Sequence, residues 1–383
     1  MKAIKTIGID ARFWEIAGPG RYVKNIVEQL EVLDTKNRYL VFLSKNHYHS
    51  YVPKNPNFQK VVADYKWYSF DEQIRFLIKL LACRLDLLYV PHFNVPVLYP
   101  GKLVTAIADI IMHTYSTEAG TTLPKPYFKL KKWVYSLVVS WVIFRAIKVI
   151  VPSNVTRQDI LKTFPWVKNT KLLLAYEGVD GGVARETTSD TVLKKFHIAR
   201  PFILYVGSMY KHKNVEGLVK TFKILKDKFG FTGQLVFVGK KDKFSESIFQ
   251  NVLELGLSKD ILMPGLTDYV TDSELAALRK KSLLYVFPSF MEGFSLTPLE
   301  ALAVGLPCAI SDIPCHREVY KDAVLYFNPY NGDDMARKIN IGLTDVALRQ
   351  TLVKRGYGLV PEYKWENTAR ATLAVFDAIL KSS

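Results

Sequence analysis

Short apolar runs alternate with amphipathic helical stretches along almost the whole chain. In the first half, the runs that predict strands are Ile4–Ile9, Tyr39–Leu43, Leu87–Val90, Leu103–Ile107 and Lys148–Val151. In the second half they are Phe202–Val206, Leu235–Val238, Ile261–Leu262, Leu283–Phe287 and Cys308–Ile310. Alternation of strand and helix is typical of parallel sheets built from βαβ units. The pattern therefore predicts an α/β fold with two Rossmann-like domains.

The alternation breaks once, at the polar stretch 185–201. A chain of 383 residues is also too long for one ordinary hydrophobic core. We therefore expect an N-terminal domain over residues 1–184 and a C-terminal domain over residues 185–361. A last helix at about 362–383 is predicted to pack back on the first domain. Two parallel sheets that face each other would bind a ligand in the cleft between the carboxyl ends of their strands.

Composition indicates a cytoplasmic location. The three cysteines, Cys83, Cys308 and Cys315, form neither a disulfide framework nor a CxxC metal motif. The first ten residues read as a strand and lack the apolar core of a signal peptide. The most apolar run, Trp133–Phe144, is short of the roughly 20 residues that a membrane-spanning helix needs.

The formal net charge of +16 is distributed unevenly. Residues 1–184 hold 25 Lys and Arg against 14 Asp and Glu, whereas residues 185–383 hold 27 against 22. Two segments, 70–86 and 125–148, place basic residues beside aromatic and apolar ones, which suits peripheral contact with an anionic membrane. The alternative is a pair of core helices with solvated basic faces. Nucleic acid is disfavoured as a partner because no nucleic-acid-binding motif accompanies the charge.

Two glutamates, Glu292 and Glu300, flank a predicted strand-to-helix connection. Glu292 follows the strand, and Glu300 lies one turn inside a helix that Pro298 is expected to open. The backbone N–H groups of residues 293–296 would feed the helix N-terminus, where a phosphate is stabilised. A structural alternative is a capping box in which Thr297 is the cap and Glu300 its partner.

Two further connections have the composition of ligand-binding turns. Lys211–Lys213 stand between a predicted strand and a predicted helix, with Asn214 as the expected helix cap. Cations at a helix start favour an anion such as a diphosphate, although a solvated basic loop explains them equally well. Near the N-terminus, Gly18-Pro19-Gly20 is predicted to form a sharp turn before a helix, either close to a ligand or as a simple turn. Neither a Walker motif nor GxGxxG is present.

Taken in order, these segments resemble the large family of retaining, nucleotide-sugar-dependent glycosyltransferases with the GT-B fold, the group 1 or family-four type. The resemblance covers nearly the whole chain. Its strongest part is the EX7E motif EGFSLTPLE at 292–300, preceded by FPS and followed by EALAVGLPCAISD. The segments GPGRY, VPSNVTRQDI, YEGVD and YVGSMYKHKN resemble other conserved parts of that family.

The resemblance implies roles for particular residues. Lys213, with Ser208 in the same turn, would hold the donor diphosphate; Glu300 would bind the nucleotide ribose; Glu292 would contact the transferred sugar. The distal phosphate would be received by the loop Gly293, Phe294, Ser295 and Leu296, and approached by Gly20.

The acceptor side departs from the family pattern. Asp109 keeps an aspartate that would act in catalysis, but Ala108 replaces the histidine that commonly precedes it. His113 or His92 could substitute for that histidine, although a structural role is the more frequent outcome for each.

The implied reaction is transfer of a hexose from a nucleoside-diphosphate sugar, with retention and with neither metal nor cofactor. GDP-mannose is the first expectation for the donor and UDP-glucose the next. The acceptor would be a glycan or a lipid-linked glycan in cell-surface polysaccharide assembly, including lipopolysaccharide. The alternatives are a non-catalytic basic binding protein at membrane or nucleic acid, and a sugar-nucleotide epimerase of the same fold.

Overall fold

A computed structural model describes residues 4–114, 125–179 and 189–381. The described chain divides into two compact units. The first unit comprises residues 4–114, 125–178 and 364–381, and the second comprises residue 179 and residues 189–363. The boundary predicted between residues 184 and 185 lies outside the described residues. The C-terminal boundary lies two residues later than the predicted one, so that the first unit resumes at Lys364.

The first unit contains a seven-stranded parallel sheet in the order β3-β2-β1-β4-β5-β6-β7. Its strands are β1 (Thr6–Asp10), β2 (Arg38–Leu43), β3 (Phe58–Val62), β4 (Leu87–Val90), β5 (Leu103–Ala106), β6 (Lys148–Val151) and β7 (Leu172–Leu174). The central strands are buried on both faces, which is why they read as continuous apolar runs rather than as alternating patterns.

The second unit contains a six-stranded parallel sheet in the order β10-β9-β8-β11-β12-β13. Its strands are β8 (Phe202–Val206), β9 (Gln234–Val238), β10 (Ile261–Leu262), β11 (Leu284–Phe287), β12 (Cys308–Ser311) and β13 (Leu325–Phe327). The predicted α/β class with two parallel sheets is therefore confirmed.

Helices connect the strands in both units. In the first they are α1 (Ala17–Leu33), α2 (Leu77–Ala82), α3 (Ile111–Thr114), α4 (Lys125–Arg145), α5 (Asn154–Thr163) and, at the chain end, α14 (Trp365–Lys381). In the second they are α6 (Ser189–Lys195), α7 (Val215–Phe229), α8 (Lys243–Glu254), α9 (Asp272–Lys281), α10 (Leu296–Ala303), α11 (Pro314–Tyr320), α12 (Gly332–Thr344) and α13 (Val346–Leu359). Short 3₁₀ turns lie at Lys45–His47, Asn169–Lys171, Lys211–Lys213, Pro264–Leu266 and Val360–Glu362, and a π-helical turn at Glu72–Phe76 precedes α2 directly.

The last helix, α14, packs lengthwise against α1. Its buried face includes Trp365, Phe376 and Ile379, and the Trp365 ring meets the Tyr22 ring edge-on at 5.6 Å. The chain therefore ends within its first unit. Over the described residues, no helix combines the length and the hydropathy that crossing a bilayer requires.

Candidate functional site

The strand order of the second unit creates a crevice between β8 and β11. Successive strands run outward from β8 through β9 to β10, and from β11 through β12 to β13 on the other side. The connections that leave β8 and β11 therefore diverge at the carboxyl edge of the sheet. In open parallel sheets this switch point is where ligands bind. Lys213 follows β8 and Glu292 follows β11, so the topology brings two of the predicted site residues to this crevice.

The two connections are joined by backbone contacts. The Phe290 N–H donates to the His212 carbonyl at 2.8 Å. Asn214 adopts a left-handed conformation with φ of 55°, and its side-chain amide donates to the carbonyls of Pro288 and Pro329 at 3.2 and 2.9 Å. Asn214 therefore occupies the cap position of α7 without the predicted side-chain cap. Its amide instead satisfies carbonyls of the neighbouring loops, which fixes the basic turn.

Lys213 forms an ion pair with Glu292. The Lys213 Nζ atom donates to both Glu292 carboxylate oxygens, at 2.7 and 2.9 Å. Glu292 is almost fully buried. Burial alone would raise the pKa of Glu292, but the charge and hydrogen bonds of Lys213 outweigh it and hold that pKa below its ordinary value. The pair therefore joins a buried carboxylate to a half-buried lysine.

The loop after Glu292 turns sharply into α10. Ser295 has a φ of 75°, and α10 begins at the next residue, Leu296. The expected helix start at Pro298 is wrong, and so is the alternative capping box, because Thr297 and Pro298 already lie inside the helix. Pro298 is tolerated there because the first amides of a helix have no acceptor within it. As predicted, the loop leads into a helix N-terminus and Glu300 lies inside that helix. The residue at the cap position is Ser295.

A buried histidine supports this turn. His316, on α11, donates from Nδ1 to the Ser311 carbonyl at 2.8 Å, and its Nε2 atom lies 3.2 Å from the Ser295 hydroxyl. Burial lowers the pKa of His316 to about 4, so the ring is neutral and Nε2 accepts a hydrogen bond from Ser295. The Tyr320 hydroxyl donates to the Ser295 carbonyl. Neither side chain was predicted from the sequence.

Glu300 is paired as well, with Arg279 of α9. The Arg279 Nη2 group donates to Glu300 Oε2, and both side chains are almost completely buried. Sequence reasoning missed Arg279 because Arg-Lys-Lys at the end of α9 resembles a solvated basic helix terminus. The one available signal was the regular apolar spacing of α9, which places residue 279 on the face of Leu275 and Leu278.

Ser208 and the loop residues lie in the same unit. The Ser208 carbonyl accepts the Tyr205 hydroxyl at 2.6 Å, so the backbone of the first turn is tied to its own strand. Gly293 and Phe294 are buried beside Glu292, whereas Leu296 is half-buried at the start of α10. The second unit thus holds every predicted donor-binding residue except Gly20.

Gly20 lies in the first unit, and its local role differs from the prediction. Helix α1 begins at Ala17, so Gly18-Pro19-Gly20 forms the first helical turn and not a loop before it. A Cβ atom on Gly20 would lie 2.4 Å from the Phe13 carbonyl oxygen. A glycine is therefore required at position 20, because the backbone of Phe13 and Glu15 lies too close to leave room for a side chain.

The acceptor-side candidates also lie in the first unit. Asp109 follows β5, and its carboxylate accepts the Ile111 N–H at 3.0 Å. Burial, together with the negative charge of Asp109, raises the pKa of Glu177 to about 8. Glu177 was not predicted as a site residue, yet its carboxyl group is near enough to Asp109 for the two charges to interact.

The two candidate histidines contact different neighbours. His92 follows β4, stacks on Phe13 with ring centroids 4.5 Å apart, and bonds through Nδ1 to Asn94 at 2.8 Å. Burial lowers its pKa to about 4. His113 lies 3.1 Å from the Ser136 hydroxyl, and burial lowers its pKa too. Because β1 and β4 are neighbours at the switch point of the first sheet, His92 lies at that crevice.

Metal ligation has no candidate in the described part of the chain. Across residues 4–114, 125–179 and 189–381, no three His, Cys, Asp or Glu side chains are grouped closely enough to hold a metal ion.

Comparison with known proteins finds similarity to glycosyltransferases. Residues 192–358 match the family described as glycosyl transferases group 1. The chain is 27% identical over 229 residues to O-antigen chain mannosyltransferase B of Escherichia coli, covering 58% of each protein. It is 26% identical over 301 residues to O-antigen chain mannosyltransferase RfbU of Salmonella typhimurium, covering 79% of this chain and 74% of that protein.

A third relative is much longer than the chain. The serotype-specific mannosyltransferase WbdA of Escherichia coli is 32% identical over 192 residues, which are 49% of this chain and 23% of WbdA. The chain thus spans 58% of the length of mannosyltransferase B and less than a quarter of WbdA.

Solved structures share the whole fold at low identity. Sucrose-phosphate synthase from Thermosynechococcus elongatus superposes with a TM-score of 0.77 at 18% identity, covering 99% of this chain and all of that one. WaaG, a glycosyltransferase involved in lipopolysaccharide biosynthesis, gives 0.75 at 14% identity, with 97% and 99% coverage. The chain has the GT-B fold, and its residues 192–358 are similar to the group 1 glycosyl transferases.

Proposed function

We propose that the protein is a glycosyltransferase that moves a hexose from a nucleoside-diphosphate sugar to an acceptor hydroxyl, with retention at the anomeric carbon and without a metal. The observation that carries the proposal is the Lys213–Glu292 ion pair at the switch point of the second sheet. A cation, a carboxylate and a helix N-terminus meet at that edge. These groups suit a diphosphate and a sugar that are joined in one molecule.

Each group of the site has a part in holding the donor. Lys213 and the Ser208 hydroxyl bind the diphosphate, while the turn Gly293–Leu296 presents the start of α10 to the distal phosphate. Glu292 accepts hydrogen bonds from the hydroxyls of the hexose. Glu300, oriented by Arg279, accepts hydrogen bonds from the ribose.

The chemistry follows from the charge of the leaving group. As the bond between the anomeric carbon and the phosphate oxygen breaks, negative charge grows on that oxygen. Lys213 and the helix dipole stabilise this charge without reorganisation. The acceptor hydroxyl attacks from the same face, and its proton passes to the departing phosphate oxygen. The carbon–oxygen bond to the acceptor forms where the old bond broke, which retains the configuration.

Donor and acceptor are proposed from the relatives. The names of these relatives, O-antigen chain and serotype-specific mannosyltransferases, support mannose as the transferred sugar. GDP-mannose is therefore the first proposed donor, and a glycan or lipid-linked glycan is the proposed acceptor. UDP-glucose is the second donor candidate. Asp109, beside Glu177, is the proposed catalytic carboxylate on the acceptor side.

A thermal-shift series with GDP, UDP, ADP and their sugars tests donor binding. A ligand that binds the folded state raises Tm by mass action. We expect a guanine nucleotide to give the largest shift, and Lys213→Met to abolish it. Lys220→Met is the matched control, since Lys220 is an exposed lysine of α7 paired with Glu216. A Tm that no nucleotide moves, or an equal shift in Lys213→Met, would refute the proposed site.

Glu292→Gln separates binding from transfer. The substitution frees Lys213 from its carboxylate partner, so we expect nucleoside diphosphate to bind at least as tightly as in the wild type. Nucleotide release in the presence of acceptor should fall by roughly 10²–10³-fold, as for loss of a charged transition-state contact. Unchanged turnover in this variant contradicts the role of Glu292, and the anomeric coupling constant of the product tests retention.

A further inference from the structure

Helix α4 has two apolar faces, and only one of them belongs to the core. Val139, Val142 and Ile143 are fully buried in the core of the first unit. A second set consists of Leu130, Trp133, Val134, Leu137, Trp141 and Phe144, whose exposed fractions run from 41 to 61%. At 3.6 residues per turn these two sets lie on opposite sides of the helix. The second set is therefore a continuous apolar stripe, facing solvent over almost the whole helix.

The turn before α2 and α2 itself carry a shorter stripe of the same kind. Ile74, Ile78 and Leu81 are exposed at a spacing of four and three residues, while Phe76 and Leu80 between them are buried. The side chains of Phe76 and Leu80 enter the same core as the inner face of α4. Both helices therefore pack on one core and turn their second apolar faces outward.

The loop after β4 connects the two stripes. The Trp141 indole donates to the Val97 carbonyl at 2.8 Å, and the Val97 N–H donates to Gln73 of the π-helical turn at 2.8 Å. Leu98, next to this junction, is 74% exposed. We call the α4 stripe, the α2 stripe and Leu98 together the apolar face. Exposed apolar surface of this extent in one place marks a site of interaction.

Positive charges predominate around the apolar face; in the π-helical turn Glu72 is buried against Arg12, and Asp71 just before it is paired with Arg75. Helix α4 contains no Asp or Glu, and α2 contains none either. Lys131 is exposed beside Leu130 in the sequence of α4, Lys79 of α2 is half-buried, and Arg84 is exposed just after α2. A second copy of the chain would bring these like charges together, whereas an anionic surface complements them. The apolar face and its cations together match the headgroup region of a bilayer.

We propose that the apolar face is a membrane-docking surface that binds anionic lipid bilayers. The stripe of α4 would lie in the plane of the interface, with Trp133 and Trp141 at headgroup depth and the lysines on anionic headgroups. Apolar burial and electrostatic attraction add to each other in this binding mode. The proposal depends only on the surface of the first unit, and it stands whether or not the proposed donor site is correct.

Sedimentation with vesicles tests the proposal on the full chain. We expect binding to phosphatidylglycerol mixed into phosphatidylcholine, little binding to phosphatidylcholine alone, and weakening as salt is added. Trp133→Ser/Phe144→Ser should reduce the affinity by more than tenfold, because two large side chains no longer enter the interface. Lys79→Gln/Lys131→Gln should reduce it by about five-fold for each lysine.

The control is Val32→Ser/Val52→Ser, which removes two exposed apolar residues outside the apolar face. Its binding should equal that of the wild type. Circular dichroism and the nucleotide-induced thermal shift check that each variant is folded, separately from lipid binding. Equal or absent binding to both vesicle types overturns the proposal. So does a concentration-dependent dimer, seen by sedimentation velocity, that Trp133→Ser/Phe144→Ser converts to monomer.

Discussion

Replacing Glu177 with glutamine should remove a loss of stability at alkaline pH. Glu177 follows β7 in the first unit and is 8% exposed. Burial is the main reason why the pKa of Glu177 rises from 4.5 to about 8, and the negative charge of Asp109 adds to it. The side chain is therefore protonated in the folded protein at neutral pH, when the same carboxyl group in the unfolded chain has lost its proton.

The sign and size of the effect follow from this difference. Above about pH 4.5 the folded state holds a proton that the unfolded state lacks, so the free energy of unfolding falls as pH rises, by about 1.4 kcal/mol per pH unit. The fall ends near pH 8, where the folded group ionises as well. From about pH 6 to about pH 9 the contribution of Glu177 is a loss on the order of 2.5 kcal/mol.

Tryptophan fluorescence gives a specific assay for this unit. The six tryptophans of the chain are at positions 14, 67, 133, 141, 166 and 365, and all of them lie in the first unit. Urea unfolding followed by fluorescence at both pH values should show the loss in the wild type and not in Glu177→Gln. Glu366→Gln, on the exposed side of α14, is the matched control and should behave like the wild type. The same alkaline loss in Glu177→Gln as in the wild type would refute the reasoning.

Two further predictions concern buried contacts. Arg279→Met should destabilise the second unit by about 3–5 kcal/mol, since it leaves the Glu300 carboxylate buried without its partner. Arg279→Met/Glu300→Gln should recover most of that loss in urea unfolding followed by circular dichroism, and equal instability of the two variants would contradict the ion pair. Gly20→Ala should cost about 1–3 kcal/mol in the fluorescence assay, because its methyl group meets the Phe13 carbonyl. Gly18→Ala, whose methyl group meets nothing within 4 Å, should cost nothing; equal effects of the two would argue against the close approach.

The strands that the sequence predicted are the inner strands of the two sheets, together with β10. The three that were missed, β3, β7 and β13, all lie at sheet edges. Edge strands have one face or one side in solvent, so β3 reads FQKVV and carries polar residues between its apolar ones. β7 and β13 have only three residues each, too few for a recognisable period. Apolar runs therefore predict the central strands of a parallel sheet more reliably than its edge strands.

Helix starts were predicted less well where a special backbone conformation replaces a side-chain cap. At α10 the turn is made by Ser295 in the left-handed region, and no side chain caps the helix. At α7 the N-cap residue is Asn214, which is also left-handed and also makes no side-chain cap hydrogen bond. The sequence predicted Asn214 as a helix cap, whereas for α10 it offered Thr297 and not Ser295. The left-handed conformations of Asn214 and Ser295 are supported by contacts with distant residues such as Pro288 and Tyr320. Local propensity carries no information about those contacts.

Candidate charges were predictable, whereas their partners were not. Lys213, Glu292 and Glu300 were identified from their place between a strand and a helix. Arg279 and His316 come from other segments and are positioned only when the sheet is assembled. A basic residue at the end of a helix normally faces solvent, so burial of Arg279 can be seen only in the folded unit.

The partners change what the candidate site implies about donor binding. In the structure the Lys213 charge is balanced by Glu292, and Glu300 is paired with Arg279. Under the proposed function, a diphosphate must therefore compete with Glu292 for Lys213. The backbone around the pair is held by Asn214 and Ser295, so the cation need not be repositioned for this exchange. The same proposal implies that binding of the sugar and binding of the diphosphate are coupled, because Glu292 becomes available to the sugar hydroxyls only when phosphate takes its place on Lys213.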